Sequence, residues 1–251
     1  MLSIQGLTKW YKDTLAVDSI DFDVADGEIL GLLGPNGAGK TTILRSISGI
    51  IQPNSGRIVI GGLELAANQE AAKRQLAFVP EVPNMFEMLT VYEHLRLIAM
   101  AYDTMDKFEE RAASLLGKFD LEEKKDSLVL SLSKGMKQKL AVACAFIHEA
   151  SVLLFDEPLI GIDPKGAREL KDMMISGKAT GCSILVSTHM LDTAERLCDR
   201  ILIIDHGKKV AEGTLEEIHE RAHMGNDASL EDMFLKLTED ATDESASIPV
   251  R

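Results

Sequence analysis

The run Gly34-Pro35-Asn36-Gly37-Ala38-Gly39-Lys40-Thr41 carries the most specific chemistry in the sequence. It fits the phosphate-loop pattern G-x-x-x-x-G-K-[ST] in full. Glycines let backbone amides wrap a phosphate with no Cβ in the way. A helix beginning there adds the partial positive charge of its N-terminus. Lys40 can then reach the β- and γ-phosphates of a nucleotide and the Thr41 hydroxyl can ligate Mg²⁺, with Thr42 next in line for a further phosphate contact. The plain alternative is a glycine-rich turn that fits by accident. The apolar run at 28–33 before the loop and the helical spacing of Ile43, Leu44 and Ile47 after it give the strand–loop–helix context that the chemistry requires.

A second constellation lies far downstream. The apolar run 152–155 ends in Asp156-Glu157. Alone, two acids at a strand end are an ordinary solvated loop. Paired with a phosphate loop they divide the work of hydrolysis. Asp156 holds Mg²⁺, directly or through water, while Glu157 acts as general base on the attacking water. Ser133 reads as the N-cap of a helix with Met136, Leu140, Cys144 and Ile147 on one face. Such an N-terminus offers free amides to an anion. His189 closes another strand-like run, and Tyr11 follows Trp10 near the start. By themselves these two read as a structural histidine and a packing aromatic.

The elements that must position these residues follow from periodicity. Runs at 1–7, 16–24, 28–33 and 57–60 are strand-like, with a turn at Asp26-Gly27. A helix is expected over 39–49. Residues 86–148 are mainly helical, since Leu95, Ile98 and Tyr102, and then Leu115, Leu116 and Phe119, recur at helical spacing. Short apolar strands return at 152–155, 183–187 and 201–204, separated by helical stretches, which implies parallel strands joined by crossovers. The expected fold is therefore an α/β core with a helical insertion. An apolar stripe at Leu230, Met233, Phe234 and Leu237 predicts a C-terminal helix docked on its own domain, with contact to a partner as the alternative.

Bulk properties bound the function. The chain has 251 residues, 45% of them hydrophobic and 27% charged, which suits one large domain with an insertion. Its net charge of −13 argues against nucleic-acid binding, which leaves a basic footprint. Ten acidic and three basic side chains from 214 onward give that end a local charge of −7. The three cysteines have no metal-like spacing, and Cys144 reads as a small core residue. No apolar run approaches the ~20 residues of a membrane span, so a membrane role requires a partner.

Taken in order, these motifs resemble those of ABC transporter ATP-binding subunits. Leu132-Ser133-Lys134-Gly135-Met136, with Gln138 behind, is similar to the signature usually written LSGGQ. Residues 158–164, containing Gly161, Ile162 and Asp163, resemble the D-loop, Ser187-Thr188-His189 the switch histidine, and Tyr11 the adenine-stacking aromatic. The resemblance spans 1–213 and implies a RecA-like P-loop NTPase core with an N-terminal antiparallel β subdomain and an α-helical subdomain inserted at about 86–148. A helical extension over 214–237 and an acidic disordered tail over 238–251 complete the expected organisation.

The family implies ATP as substrate and Mg²⁺ as cofactor. It gives Glu157, His189 and Lys40 catalytic roles and assigns Thr41, Asp156 and Glu81 to the metal. ATP contacts fall to Tyr11, Gly34, Asn36, Gly37, Ala38, Gly39, Lys40, Thr41, Thr42, Ser133, Gly135 and Asp163. Ser133 and Gly135 would meet the nucleotide of a second ATPase subunit, so the implied unit is a dimer, expected to be a homodimer. Two departures stand out. Lys134 and Met136 replace the commoner glycine and glutamine, with Lys137 and Lys139 adding charge near an anion site. Glu81 stands where glutamine is usual, and an ionised carboxylate cannot donate as an amide can. Lys134–Lys139, Pro80-Glu81 and Ala99-Met100-Ala101-Tyr102 look like the Ecs-type bacterial subunits and, more broadly, ABC-2-type exporter ATPases. That implies an integral membrane permease as partner, export, and a place on the cytoplasmic face of the membrane. A soluble ABC-type ATPase acting on ribosomes or DNA is the alternative, weakened by the single cassette and the acidity. A non-catalytic cassette is disfavoured by the retained Lys40, Asp156, Glu157 and His189.

Overall fold

A computed structural model describes residues 1–224 and 228–246. The chain opens on a hairpin of β1 (Leu2–Tyr11) and β2 (Thr14–Val24), paired antiparallel. After β3 (Ile29–Leu33) and α1 (Lys40–Ile47), β4 (Ser55–Ile60) returns to pair with β1 and carries the short β5 (Leu63–Glu64). The resulting four-stranded sheet has the order β2-β1-β4-β5. It packs Leu2, Ile4, Phe22 and Ile60 into one core with Ile43 and Ile47 of α1 and with Leu154 and Leu185 of the second sheet.

Next come α2 (Gln69–Arg74) and β6 (Leu76–Val79), neither anticipated from periodicity. The helical insertion holds α3 (Val91–Ala101), α4 (Phe108–Lys118) and α5 (Lys134–Ile147), with 3₁₀ turns at Glu122–Lys124 and Val129–Ser131. Regular helix thus starts at Val91, after a Thr90–Glu93 capping box in which Thr90 Oγ1 accepts from Glu93 N (3.1 Å) and Glu93 Oε2 from Thr90 N (2.8 Å). Ser133 caps α5 as expected, its hydroxyl accepting from Met136 N at 3.2 Å. Leu140, Cys144 and Ile147 are buried on the face read from sequence.

The chain returns through β7 (Val152–Asp156), α6 (Pro164–Ala179), β8 (Ser183–Ser187), α7 (Leu191–Leu197) and β9 (Arg200–Asp205). The hairpin strand β10 (Lys208–Gly213) closes a six-stranded sheet of order β10-β9-β3-β8-β7-β6. All its pairings are parallel except β9 with β10. Strands β3, β7 and β8 are buried at every residue, which explains why they read as continuous apolar runs.

Two C-terminal helices, α8 (Leu215–Ala222) and α9 (Leu230–Ala246), complete the chain. Leu230, Met233 and Leu237 are buried in a core shared with Ile201, Ile203 and Ala211, so the stripe docks on its own domain. The backbone stays helical beyond Thr238, where the sequence suggested that an acidic tail begins. Residues 247–251 of that expected tail lie outside the described residues. Among the described residues no helix is long and apolar enough to cross a membrane.

Candidate active site

The register of the parallel sheet brings the two constellations together. Leu32 of β3 and Asp156 of β7 both stand opposite Ser187 of β8, so three adjacent strands end at one level. Beyond β3 lies the glycine-rich loop, beyond β7 Glu157, and beyond β8 Thr188-His189. The carboxyl edge of an open parallel sheet is where such folds bind ligands. A cavity of about 300 Å³ is present there, lined by Asn36 through Thr42 together with Ala16, Glu81, Asp156 and Glu157.

Within the loop, Gly39 has φ +110°, and a Cβ there would lie 2.6 Å from the Ala16 carbonyl, so only glycine fits. Lys40 is buried, and its ammonium donates to the carbonyls of Gly34 (2.6 Å) and Pro35 (3.1 Å). Burial pulls its pKa below the usual lysine value, with Glu157, Asp156 and Glu81 opposing that shift. It is the one basic side chain among the described residues lining the cavity.

The acids are held from β8. Ser187 Oγ donates to Asp156 Oδ1 at 2.6 Å and accepts from Glu157 N at 3.2 Å, while the Ser187 carbonyl accepts from the same amide at 3.1 Å. These contacts fix Glu157 with φ +48°, a left-handed conformation that non-glycine residues adopt at a cost. Its Oε2 lies 2.9 Å from His189 Nδ1. An ionised carboxylate only accepts, so Nδ1 carries the proton in this pair. Ser187 has no role that sequence alone could assign, because its partners are about thirty residues away and only the β7–β8 register joins them. Ser187→Ala is expected to cost about 1–3 kcal/mol by leaving the buried Asp156 oxygen short of a donor. A melting curve checks this, since an unchanged Tm would remove Ser187 from that supporting role.

Not every expected residue meets at the cavity. Tyr11 is exposed at the end of β1, with Lys9 Nζ 5.3 Å from its ring centroid, and it does not line the cavity. Ser133 and Gly135 stand at the start of α5, also away from it. Asp163 is committed elsewhere: Oδ1 caps α6 by accepting from Gly166 N at 2.9 Å, and Oδ2 pairs with Lys139. The lysines expected to place charge near an anion site are largely spoken for. Lys139 is buried on Asp163, and Lys137 Nζ sits 3.1 Å from Glu87. Two residues apart on a helix point in different directions, so the run of positive charge in sequence is not a patch in space.

Comparison with known proteins decides the family. The ABC transporter family profile matches residues 17–160, more than half of the chain. The chain belongs to the ABC transporter family. It is an ATP-binding subunit that hydrolyses ATP. The Bacillus subtilis (strain 168) ABC-type transporter ATP-binding protein EcsA is 40% identical over 246 residues, covering 97% of this chain and 99% of that protein. The Nod factor export ATP-binding protein I of Rhizobium sp. (strain N33) is 37% identical over 225 residues, 89% of this chain and 74% of that one. Among solved structures, an ATP-binding subunit of an ABC transporter superposes with a TM-score of 0.91 at 40% identity, covering 95% of this chain and 99% of the other. The ABC subunit therefore has the RecA-like P-loop core, β-sheet subdomain and helical insertion that its motifs implied.

Proposed function

We propose that this subunit works as one half of a nucleotide-sandwich dimer in which each half completes the other's site, and that the two together drive a separate membrane permease in export. The observation that carries the proposal is the division of the motifs. Asn36 to Thr42 of the glycine-rich loop, Asp156 and Glu157 line one cavity, and His189 joins them through Glu157 without lining it, while Ser133 and Gly135 lie outside. The N-terminus of the fourteen-residue helix α5 is then available to the γ-phosphate held by a second copy.

In each half the loop amides and Lys40 hold the phosphates, with Gly34, Asn36, Gly37, Ala38, Gly39 and Thr42 shaping the cradle. Tyr11 is assigned to stacking on adenine. Glu157 accepts the proton of the attacking water, and His189 keeps that carboxylate turned toward its task. Among the described residues no cluster of three His, Cys, Asp or Glu side chains is placed to hold a metal unaided. Thr41, the buried Asp156 and Glu81 are nevertheless hard oxygen donors that suit Mg²⁺ shared with a substrate phosphate. Bound there, Mg²⁺ supplies charge neutralisation to the phosphoryl oxygens.

Val82, Phe86, Met88 and Leu130 support a permease partner. All four are exposed apolar side chains, and the Leu130 amide bonds the Glu87 carbonyl at 3.0 Å, joining the two segments. An exposed apolar cluster beside Glu81 fits a docking surface on a membrane protein at the cytoplasmic face. The relative named for Nod factor export supports the outward direction. Co-purification of the tagged chain from membranes in detergent tests the whole reading. Recovery of two ATPase subunits with a polytopic membrane protein is the expected result. Recovery with ribosomes, DNA or no partner would replace it with a soluble ATPase.

A further inference from the structure

We propose that Lys139 is a positioning residue for hydrolysis, holding loop 158–163 against the start of α5 so that this turn and Glu157 keep a fixed relation. The inference rests on reading Glu157 as the general base. Lys139 lies in the second turn of α5 and is buried, and among the described residues its ammonium meets a single carboxylate, that of Asp163. Burying a lysine is costly unless it is paired, so this contact has to be maintained in the folded chain. Asp163 in turn begins α6, and its other oxygen accepts from Gly166 N at 2.9 Å. The Lys139 ammonium and then the Gly166 amide hold the Asp163 carboxyl below the ordinary aspartate range.

The packing around the pair is tight enough to transmit position. A Cβ on Gly166 would come within 2.7 Å of Lys139 Cε, so the lysine stem crosses the helix where a side chain is missing. A Cβ on Gly135 would lie 2.3 Å from the Gly161 carbonyl, so the first turn of α5 rests directly on the loop. The loop begins at Glu157, whose amide is held by Ser187, and it tightens through Ile160 N to the Glu157 carbonyl (3.2 Å) and Ile162 N to the Leu159 carbonyl (3.3 Å). One end is thus pinned beside the base and the other by Lys139. A loop fixed at both ends passes a displacement of α5 to Glu157, whereas a loop released at Asp163 absorbs it.

Steady-state ATPase measurements on the full chain test this. Lys139→Met keeps the apolar stem and frees the half-exposed Asp163 to water. It is expected to lower kcat by about 10–100-fold through misplacement of the reacting groups, with KM for ATP moving less than about twofold. Lys139→Arg keeps a cation on a long stem and is expected to recover most of the rate. Asp163→Asn retains the helix cap and loses the ion pair, and the double variant is expected to be no slower than the slower single one. A wild-type kcat in Lys139→Met, a loss confined to KM, or losses that multiply in the double variant would each overturn the proposal. Should Lys139→Met fail to fold by its melting curve, Asp163→Asn decides by the same division of kcat and KM. Glu157→Gln serves as the control. If it is inactive while Lys139→Met is normal, only the present inference falls, whereas activity in Glu157→Gln removes the reading beneath it.

Discussion

Glu157→Gln is expected to lower ATP turnover by roughly 10²–10⁴-fold, the range that a positioned general base contributes, while leaving ATP binding intact. The amide matches the carboxylate in shape, so the local fold should survive. The left-handed backbone at Glu157 is held by Ser187 through the main-chain amide, which glutamine retains. His189 Nδ1 at 2.9 Å can still donate to the amide oxygen. What is lost is the proton acceptor. A neutral amide cannot take the proton from water at any useful pH, so chemistry stops while the phosphate cradle is untouched. Phosphate release should fall and nucleotide affinity should hold, and in the proposed dimer the ATP-bound form should accumulate on a sizing column. Turnover at the wild-type rate would take the base role away from Glu157.

The parts of the site that were legible in the sequence are those written contiguously. Residues 34–42 were legible as a glycine-rich loop leading into a helix because a tight turn, a helix start and a cation follow one another within a few residues. Asp156-Glu157 was legible because a buried parallel strand reads as an apolar run and the acids end it. Ser133 was legible because capping is local. The contacts that hold these groups in place are spread over long separations and could not be read in the same way. Ser187 meets Asp156 only through the β7–β8 register, and Lys139 meets Asp163 only because α5 crosses the start of α6. In the sequence Lys139 sits among other lysines and reads as charge near an anion site, whereas in the fold it is buried on Asp163. The edge elements escaped for a related reason. β6 is four residues long, too short for alternation to register, and β10 is a half-exposed hairpin strand rich in lysine. The continuation of α9 past Thr238 was hidden because the apolar stripe stops at Leu237, although the residues beyond include good helix formers such as alanine and glutamate.

Lys40→Met is expected to act on the other half of the reaction, weakening nucleotide binding and not merely its hydrolysis. The ammonium is buried and is the one basic group among the described residues lining the cavity, opposite Asp156, Glu157 and Glu81. Methionine preserves most of the stem volume and removes the charge. A charge-assisted hydrogen bond contributes about 1.5–3 kcal/mol, so its loss alone predicts roughly 10–150-fold weaker binding of ATP. The remaining carboxylates then face the phosphates without compensation, which places the expected result toward the upper end of that range. The loop also loses the donor that ties the Gly34 and Pro35 carbonyls together. Titration with a fluorescent ATP analogue measures the effect directly. The two substitutions therefore separate binding from chemistry within one cavity: Glu157→Gln should bind normally and turn over far more slowly, and Lys40→Met should bind far more weakly. Unaltered affinity in Lys40→Met would mean that the backbone amides carry phosphate recognition by themselves, and the lysine would then have to be assigned to the transition state alone.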